Sequence, residues 1–503
     1  MTFTELHWTV HAGQPLLALL QGIPLLAVLL MLTLRNSRYT LPAALTAAVV
    51  QLILTLYLYA SYDLTSTALQ FAERLALPGP FDYHAGVDGV SIVFLLLTAL
   101  ISLLVLVYGP VRGLGPAWRL AAAVFAVQTT LTASFVTLNL MWFVLLSSIQ
   151  LGLIGYLLGR WATSPDKEPA LIRYYQFMGT GVLLLLIGAL MLGWNHADAS
   201  GGRWSFDLLE LQQVPVAAAL QSVVFFLLFY GLAIRTPLFP LHGWLPPVAE
   251  HGNIAVAPTL LLGLKIGVYG LLRFVFPLLP EAVEQWHFYI AAFAVVGIFY
   301  AALMAMLQTN MRRLLAFAVV SHTSILVLGL FSLDPLAFQG SVMLSVTFGL
   351  ALATLVFMTG LVYRRTKTTL LNKLGGLFDH IPLVGLAFLL AGLSIIGMPG
   401  TPGFDAAHLV LEASIHRFGG LVTIAAALGN VLAAGFLLWA FQRAFLAPCP
   451  GGKPYRDVQR ITAAELLVTG MVVCVLLAAG FYTEPWLELI DMPLKNLSSL
   501  YAH

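Results

Sequence analysis

The 503-residue chain is 60% hydrophobic and 9% charged, with a formal net charge of +2 at pH 7. That balance excludes an ordinary soluble enzyme and leaves no basic field for nucleic acid. Its two cysteines, Cys449 and Cys474, are widely separated and offer no metal-ligand spacing, so no disulfide, zinc or haem group is expected in this chain.

Apolar runs long enough to cross roughly 30 Å of hydrocarbon fall, in chain order, near 15–34, 41–60, 87–109, 117–138, 140–159, 171–193, 217–236, 255–278, 288–307, 312–332, 338–362, 382–416, 419–446 and 462–482. The fold class is therefore an all-α polytopic membrane protein with fourteen spans. The first run follows His7 and His11 rather than a basic segment and lacks a small-residue cleavage site, so it reads as a span and not a signal peptide. Connections are too short for a soluble domain, which places any driving chemistry in partners.

Charge in the connections sets the orientation. Arg35 and Arg38, Arg112, Arg160 and Lys167, Arg312, Arg364 to Lys373, and Lys453 to Arg460 follow odd-numbered spans, and basic loops face the cytoplasm. The even connections carry Asp63, Glu73, Asp82, Asp198, Asp207, Glu210, Glu281, Glu284 and Asp334. Both termini are thus expected on the outer face of a bacterial inner membrane. The loop after span seven breaks the bias, with His242, Glu250 and His251 but no lysine or arginine, and is expected to be sunk in protein.

Span seven is interrupted at Thr236-Pro237-Leu238-Phe239-Pro240, and span twelve at Gly397-Met398-Pro399-Gly400-Thr401-Pro402-Gly403. Two discontinuous helices five spans apart suggest inverted repeats around a polar path, since broken backbone needs hydrated or protein surroundings. The expected division is 1–116 (spans one to three), 117–278 (spans four to eight), 288–446 (spans nine to thirteen) and 447–503 (a cytoplasmic loop, the last span and an outer C-terminus).

Lys265 stands inside an apolar stretch, with no acid at helical spacing. A lysine in that position is a functional suspect, because it can take up and release a proton; the competing reading is a permanent ion pair that locks helices. Arg235, at the end of span seven, keeps its proton and can set a field but not relay, or it can snorkel to the surface. Asp405, His408 and Glu412 recur at i, i+3 and i+7, one helical face that reads as an outer proton leg or as a polar surface stripe. His242, Glu250, His251 and His322 are candidates for a cytoplasmic leg. Gln150 can hold a hydrogen bond or water but cannot titrate. Asp88, ahead of span three, reads as a helix cap.

Thr236-Pro-Leu-Phe-Pro-Leu-His-Gly-Trp-Leu-Pro246, Leu264-Lys-Ile-Gly-Val-Tyr-Gly-Leu-Leu-Arg-Phe274, Gln308-Thr-Asn-Met-Arg-Arg-Leu-Leu-Ala316 with Ser321-His322, and Gly397-Met-Pro-Gly-Thr-Pro-Gly-Phe404 resemble segments of the proton-conducting membrane transporter family. That family includes the antiporter-like subunits of respiratory complex I and of Mrp antiporters, and within it the chain looks most like subunit M. The resemblance implies two inverted five-helix repeats and a hydrated central axis, with Lys265 as its lysine in span eight. It also implies departures: Gln150 stands where a glutamate is expected, Arg235 for a lysine, Phe348 for a histidine and Ala407 for a glutamate.

An axis without its switchable pair is similar to that expected of DabB, the membrane subunit of the DabA–DabB inorganic-carbon pump. The resemblance then implies that inward proton flow energises a large cytoplasmic zinc partner resembling carbonic anhydrase, which converts CO2 to bicarbonate. No cofactor is implied in this chain. The alternatives are subunit M of a divergent complex I, with the other complex I subunits as partners, and a non-conducting membrane scaffold.

Overall fold

The computed structural model describes residues 4–501 apart from 11–12, 36, 78, 163, 254–255 and 449–459. Cys449, Lys453 and Arg456 lie outside the described residues; Cys474 is exposed on a span.

Leu16–Thr33 (α1), Thr40–Ala60 (α2), Gly89–Val111 (α3), Ala117–Val136 (α4), Leu140–Arg160 (α5) and Lys167–Ala199 (α6) form the first part of the bundle. After the short α7 (Leu208–Gln212) come α8 (Ala218–Arg235), α9 (Leu245–His251) and α10 (Ala257–Gly270), the last continued by a π-turn at Leu271–Val275 and α11 (Phe276–Leu278). The remainder is α12 (Pro280–Met306), α13 (Met311–Leu330), α14 (Pro335–Thr366), α15 (Pro382–Ile396), α16 (Pro402–Phe418), α17 (Gly420–Phe441), α18 (Ala463–Phe481) and α19 (Glu484–Ser498). Among the described residues 13 helices are long and apolar enough to span a membrane. The broken pair α15–α16 occupies the place of the expected span twelve.

Both interruptions are present. α8 stops at Arg235 and the chain turns through Thr236–Gly243 before α9. α15 ends on Gly397 at φ +78°, a left-handed cap that costs glycine nothing and other residues strain.

Burial separates a core from a rim. The α10–α11 span is 100% buried and α13 and α14 are each 94% buried, whereas α2 and α18 are 28% buried. The rim helices keep Leu, Ile and Val outside, as lipid contact demands. α18 is nevertheless tied in: Glu465, fully buried, bonds Arg364 Nη1 at 3.0 Å and Arg365 Nη2 at 2.8 Å, both at the end of α14. Its carboxylate also closes a capping box with Thr462.

The sequence reading contained no strands, and here the structure differs. Glu5–His7 (β1), Leu69–Leu75 (β2) and Tyr83–Val87 (β3) make a sheet of order β1-β2-β3, with β1 parallel and β3 antiparallel to β2. It lies at the membrane face where α1 and α3 begin, called here the sheet face. Glu73 is inside this sheet layer rather than in a solvated loop: its oxygens accept from Leu17 N at 2.8 Å and Ala18 N at 2.9 Å, capping α1 from a distance. Burial pushes the Glu73 carboxyl above its usual value, against the two amides that favour its anion.

His84 joins three segments at this face. Its Nδ1 contacts Asp207, which precedes α7, and its Nε2 lies 2.7 Å from Glu5 Oε2 on β1. Burial would raise Asp207, but the His84 contact, the Arg74 charge and the Leu209 amide hold it below its ordinary value. A depressed carboxylate contributes stability above its unfolded value of about 3.9, and loses it as pH falls through the lower folded value. Thermal midpoints measured from pH 7 down to pH 3 are therefore expected to drop in the acid limb for the native chain. Asp207→Asn is expected to start lower at pH 7 and to show a shallower acid limb.

Candidate functional site

Lys265 lies in the most enclosed span. It is 7% exposed, and its ammonium makes no hydrogen bond or ion pair among the described residues. A Cβ placed on Gly349 of α14 would stand 3.1 Å from Lys265 Cε, so the glycine leaves the side chain its room. The ammonium sits 5.3 Å from the centre of the Phe348 ring, a contact that attracts a cation without offering it a base.

A void of ≈ 10 Å³ borders Lys265 and is walled by Thr236, Leu261, Val319, Phe348 and Leu352, among others. That is about the room one water needs. A second void of ≈ 40 Å³ shares Leu261, Val319 and Leu352 with it and extends to Ala249, Asn253 and Arg312. Three apolar residues thus wall both voids, and the larger one reaches the start of α13 at the face opposite the sheet. At its mouth, Arg312 Nη1 donates to Glu250 O at 3.2 Å, and Arg313 Nη1 pairs with Glu250 Oε2 at 3.2 Å. His251 Nδ1 meets Ser164 Oγ at 2.8 Å. The loop expected to be sunk in protein is half-buried here and draws its basic partners from α13.

Arg235 is 5% exposed, not snorkelling. Its Nη1 donates to Gln150 Oε1 at 2.6 Å and its Nη2 to Ser147 O at 3.0 Å. The Gln150 amide nitrogen donates to Thr130 O and Ser134 Oγ. Every contact is with a neutral acceptor, so proton exchange within the pair is closed and its role is field and geometry. Gln150→Ala is expected to lower stability by about 1.5–3 kcal/mol, the scale of a hydrogen bond to a charge. Unfolding of the solubilised chain checks this, with Gln150→Glu keeping an acceptor in place.

His322 is 2% exposed and its Nε2 has no hydrogen-bond partner. Its ring packs 4.9 Å from Phe348. One phenyl ring thus contacts both Lys265 and His322, and it carries no proton. His242 is buried among Phe239, Tyr300 and Phe317, with Nδ1 unpartnered.

The stripe Asp405, His408 and Glu412 does occupy one face of α16, but that face is turned outward. The His408 and Glu412 side chains are 69% and 48% exposed and lie 3.7 Å apart, while Asp405 accepts from Thr483 Oγ1 at 2.6 Å. The buried face of α16 is Ala406, Ala407, Val410, Ala413 and Ser414. The structure does not bring the stripe to the voids beside Lys265.

A different polar ladder leads toward the sheet face. Tyr269 and Arg273 follow Lys265 at i+4 and i+8 on the same side of the helix. Tyr269 Oη donates to Phe135 O at 2.8 Å and lies 3.1 Å from Ser91 Oγ; Arg273 Nε donates to Tyr269 Oη at 3.1 Å. Arg273 Nη2 pairs with Asp88 Oδ1 at 2.7 Å. Asp88 is the expected cap, accepting from Ser91 N at 2.9 Å, and also the counterion of a buried arginine. Sequence reasoning gave Asp88 one role because its partner lies on a distant helix; the spacing of 265, 269 and 273 was the available signal.

Comparison with known proteins agrees with this architecture. The profile described as NADH:quinone oxidoreductase/Mrp antiporter, TM, matches residues 137–433. NADH-ubiquinone oxidoreductase chain 4 of Marchantia polymorpha is 26% identical, with 94% of this chain and 95% of the relative covered. NADH-quinone oxidoreductase subunit M of Escherichia coli K12 is also 26% identical, covering 90% and 91%. A chain of respiratory complex I from Thermus thermophilus with bound NADH superposes with TM-score 0.84 at 25% identity, covering 96% and 100%. A chain of the Mrp complex from Dietzia sp. DQ12-45-1b has the same fold, with TM-score 0.84 at 20% identity over 97% and 99%. A membrane bundle built on two broken helices, with a profile match across most of its length, fixes the assignment: this chain belongs to the NADH:quinone oxidoreductase/Mrp antiporter transmembrane family.

Proposed function

We propose that the chain is a proton-conducting membrane subunit of a multisubunit energy-converting complex, not itself an enzyme, with Lys265 as the group that takes up and releases the proton. The observation that carries this reading is the enclosed ammonium without an ion pair among the described residues, bordering a void that shares its walls with a second one reaching Arg312. A helix-locking lysine would have an acid partner. Glu250, His251 and His242 serve the cytoplasmic approach, His322 stands beside the central lysine, and Tyr269, Arg273 and Asp88 shape the field on the outer side. Both termini face outward from a bacterial inner membrane.

The axis favours downhill inward flow over driven pumping, because Arg235 and Gln150 form a pair that cannot exchange a proton. On this reading the chain serves an inorganic-carbon uptake complex of the DabA–DabB type, and its partner is a large cytoplasmic zinc protein resembling carbonic anhydrase. A second reading, subunit M of a respiratory complex I, is favoured by the names of relatives matched along nearly their whole length.

Gentle detergent purification of the native complex separates the two. A single large zinc-containing partner, with uncoupler-sensitive bicarbonate accumulation in cells, supports the carbon-uptake reading. Flavin, iron–sulfur clusters and several membrane subunits support subunit M. A partner activity unaffected by uncoupler would leave a scaffold and overturn proton conduction.

A further inference from the structure

One tyrosine at the face opposite the sheet carries two arginines. Arg112 follows α3 and Arg312 opens α13, and their guanidinium carbons lie 5.6 Å and 4.8 Å from the centre of the Tyr363 ring near the end of α14. The ring attracts both cations and neutralises neither. Arg312 finds some acceptors, since its Nη1 donates to the Glu250 and Gly252 carbonyls at 3.2 Å and 3.3 Å. Arg112 finds none: among the described residues its side chain makes no hydrogen bond or ion pair, and its Nε is enclosed without an acceptor.

The acids of this region are engaged elsewhere. Glu465 is held by Arg364 and Arg365, and Glu250 by Arg313 and Asn310. Arg112, Arg312, Arg313, Arg364 and Arg365 thus meet two carboxylates, and Arg312 stands in the first turn of α13, where the helix end is itself positive. A guanidinium keeps its proton, so the pair on Tyr363 cannot relieve the repulsion by discharging. It requires an anion from outside.

The place of the pair narrows what that anion is. α3, α13 and α14 are 83%, 94% and 94% buried, against 28% for the rim spans α2 and α18, so the ends of these three are screened from lipid headgroups. Arg112 lies past the last residue of α3 and is half-buried, which leaves it an approach from the aqueous side. The same face exposes Arg119, Arg160, Arg173 and Arg443, among other cations, against Asp166, Glu168 and Asp379. An acidic protein surface matches that broad basic surplus, whereas a small anion meets the pair alone.

We propose that Arg112 and Arg312, held on the Tyr363 ring, seat an aspartate or glutamate of a cytoplasmic subunit that docks on this face. The inference rests on the proposed reading that the driving chemistry lies in a cytoplasmic partner.

The test uses the amine that Arg112→Lys introduces. A water-soluble carbodiimide joins an amine to a carboxylate in contact with it, forming an amide while the reagent takes up the elements of water; the native guanidinium does not react and supplies the background. In the purified whole complex the expected product is one amide between position 112 and an aspartate or glutamate of a cytoplasmic subunit, read by mass spectrometry of the digest. Adducts confined to this chain's own carboxylates overturn the proposal. No adduct, with a thermal midpoint of the native complex raised by inorganic phosphate, gives the pair to a free anion and overturns it too. Arg112→Glu is expected to lower recovery of the docked subunit per tagged chain at least tenfold, and exchange of the partner's carboxylate for arginine is expected to restore it. Unchanged recovery, or no restoration, counts against the site. A complex purified with no cytoplasmic subunit sinks the underlying reading together with the site; a cytoplasmic subunit recovered without the adduct sinks the site alone.

Discussion

Lys265→Ala is expected to reduce proton-coupled activity of the assembled complex by about 10²-fold or more, the scale on which removal of a positioned proton-transfer group acts. The lysine is the one titratable side chain bordering the ≈ 10 Å³ void. Nothing replaces it: Phe348 carries no proton, and Arg235 is held by Gln150 and Ser147. Lys265→Arg is expected to fail as well, because a guanidinium keeps its proton. Assembly should survive in Lys265→Ala, since the substitution removes a buried cation that has no ion-pair partner and leaves none stranded. Equal activity in a fully assembled Lys265→Ala complex would remove Lys265 from the path.

The second large effect concerns stability. Glu465→Ala is expected to cost about 3–5 kcal/mol, the range for deleting one partner of a buried ion pair. Arg365 is 2% exposed against a carboxylate that is itself buried, so alanine takes that carboxylate away from a guanidinium held in the interior. The capping box at Thr462 is lost in the same step, adding roughly 1 kcal/mol. α18 is only 28% buried, and the clamp ties its first turn to the end of α14. A paired apolar replacement, Glu465→Leu with Arg365→Met, is expected to recover most of the loss. Thermal unfolding of the solubilised chain reads both variants; a small loss in Glu465→Ala would show that α18 is held by packing alone.

The spans were legible because a helix crossing lipid has to be continuously apolar for its whole length, and the breaks because proline and glycine mark where that helix cannot continue. Lys265 stood out for the same reason. The sheet was not legible: β1 and β2 are short, lie on either side of two spans, and pair by register that neither segment specifies alone. Glu73 and Asp88 were read as loop acid and cap, since the Leu17 amide and Arg273 that complete their roles sit on other helices.

The α16 stripe shows a different limit. A spacing of three and seven places Asp405, His408 and Glu412 on one side but does not say which way that side turns. The opposite side, Ala406, Ala407, Val410 and Ala413, is small and apolar, and it is the side that packs. Phe348 could be aligned with an expected histidine, yet its contact with both Lys265 and His322 is a property of three helices together.

Proton conduction through Lys265 is tested by proton flux through the intact purified complex in liposomes, driven by an imposed membrane potential and read by an internal pH dye. Acidification is expected to follow the potential, to be lost in Lys265→Ala, and to persist in Gln150→Glu. No flux in the intact complex, or equal flux in Lys265→Ala, would contradict it.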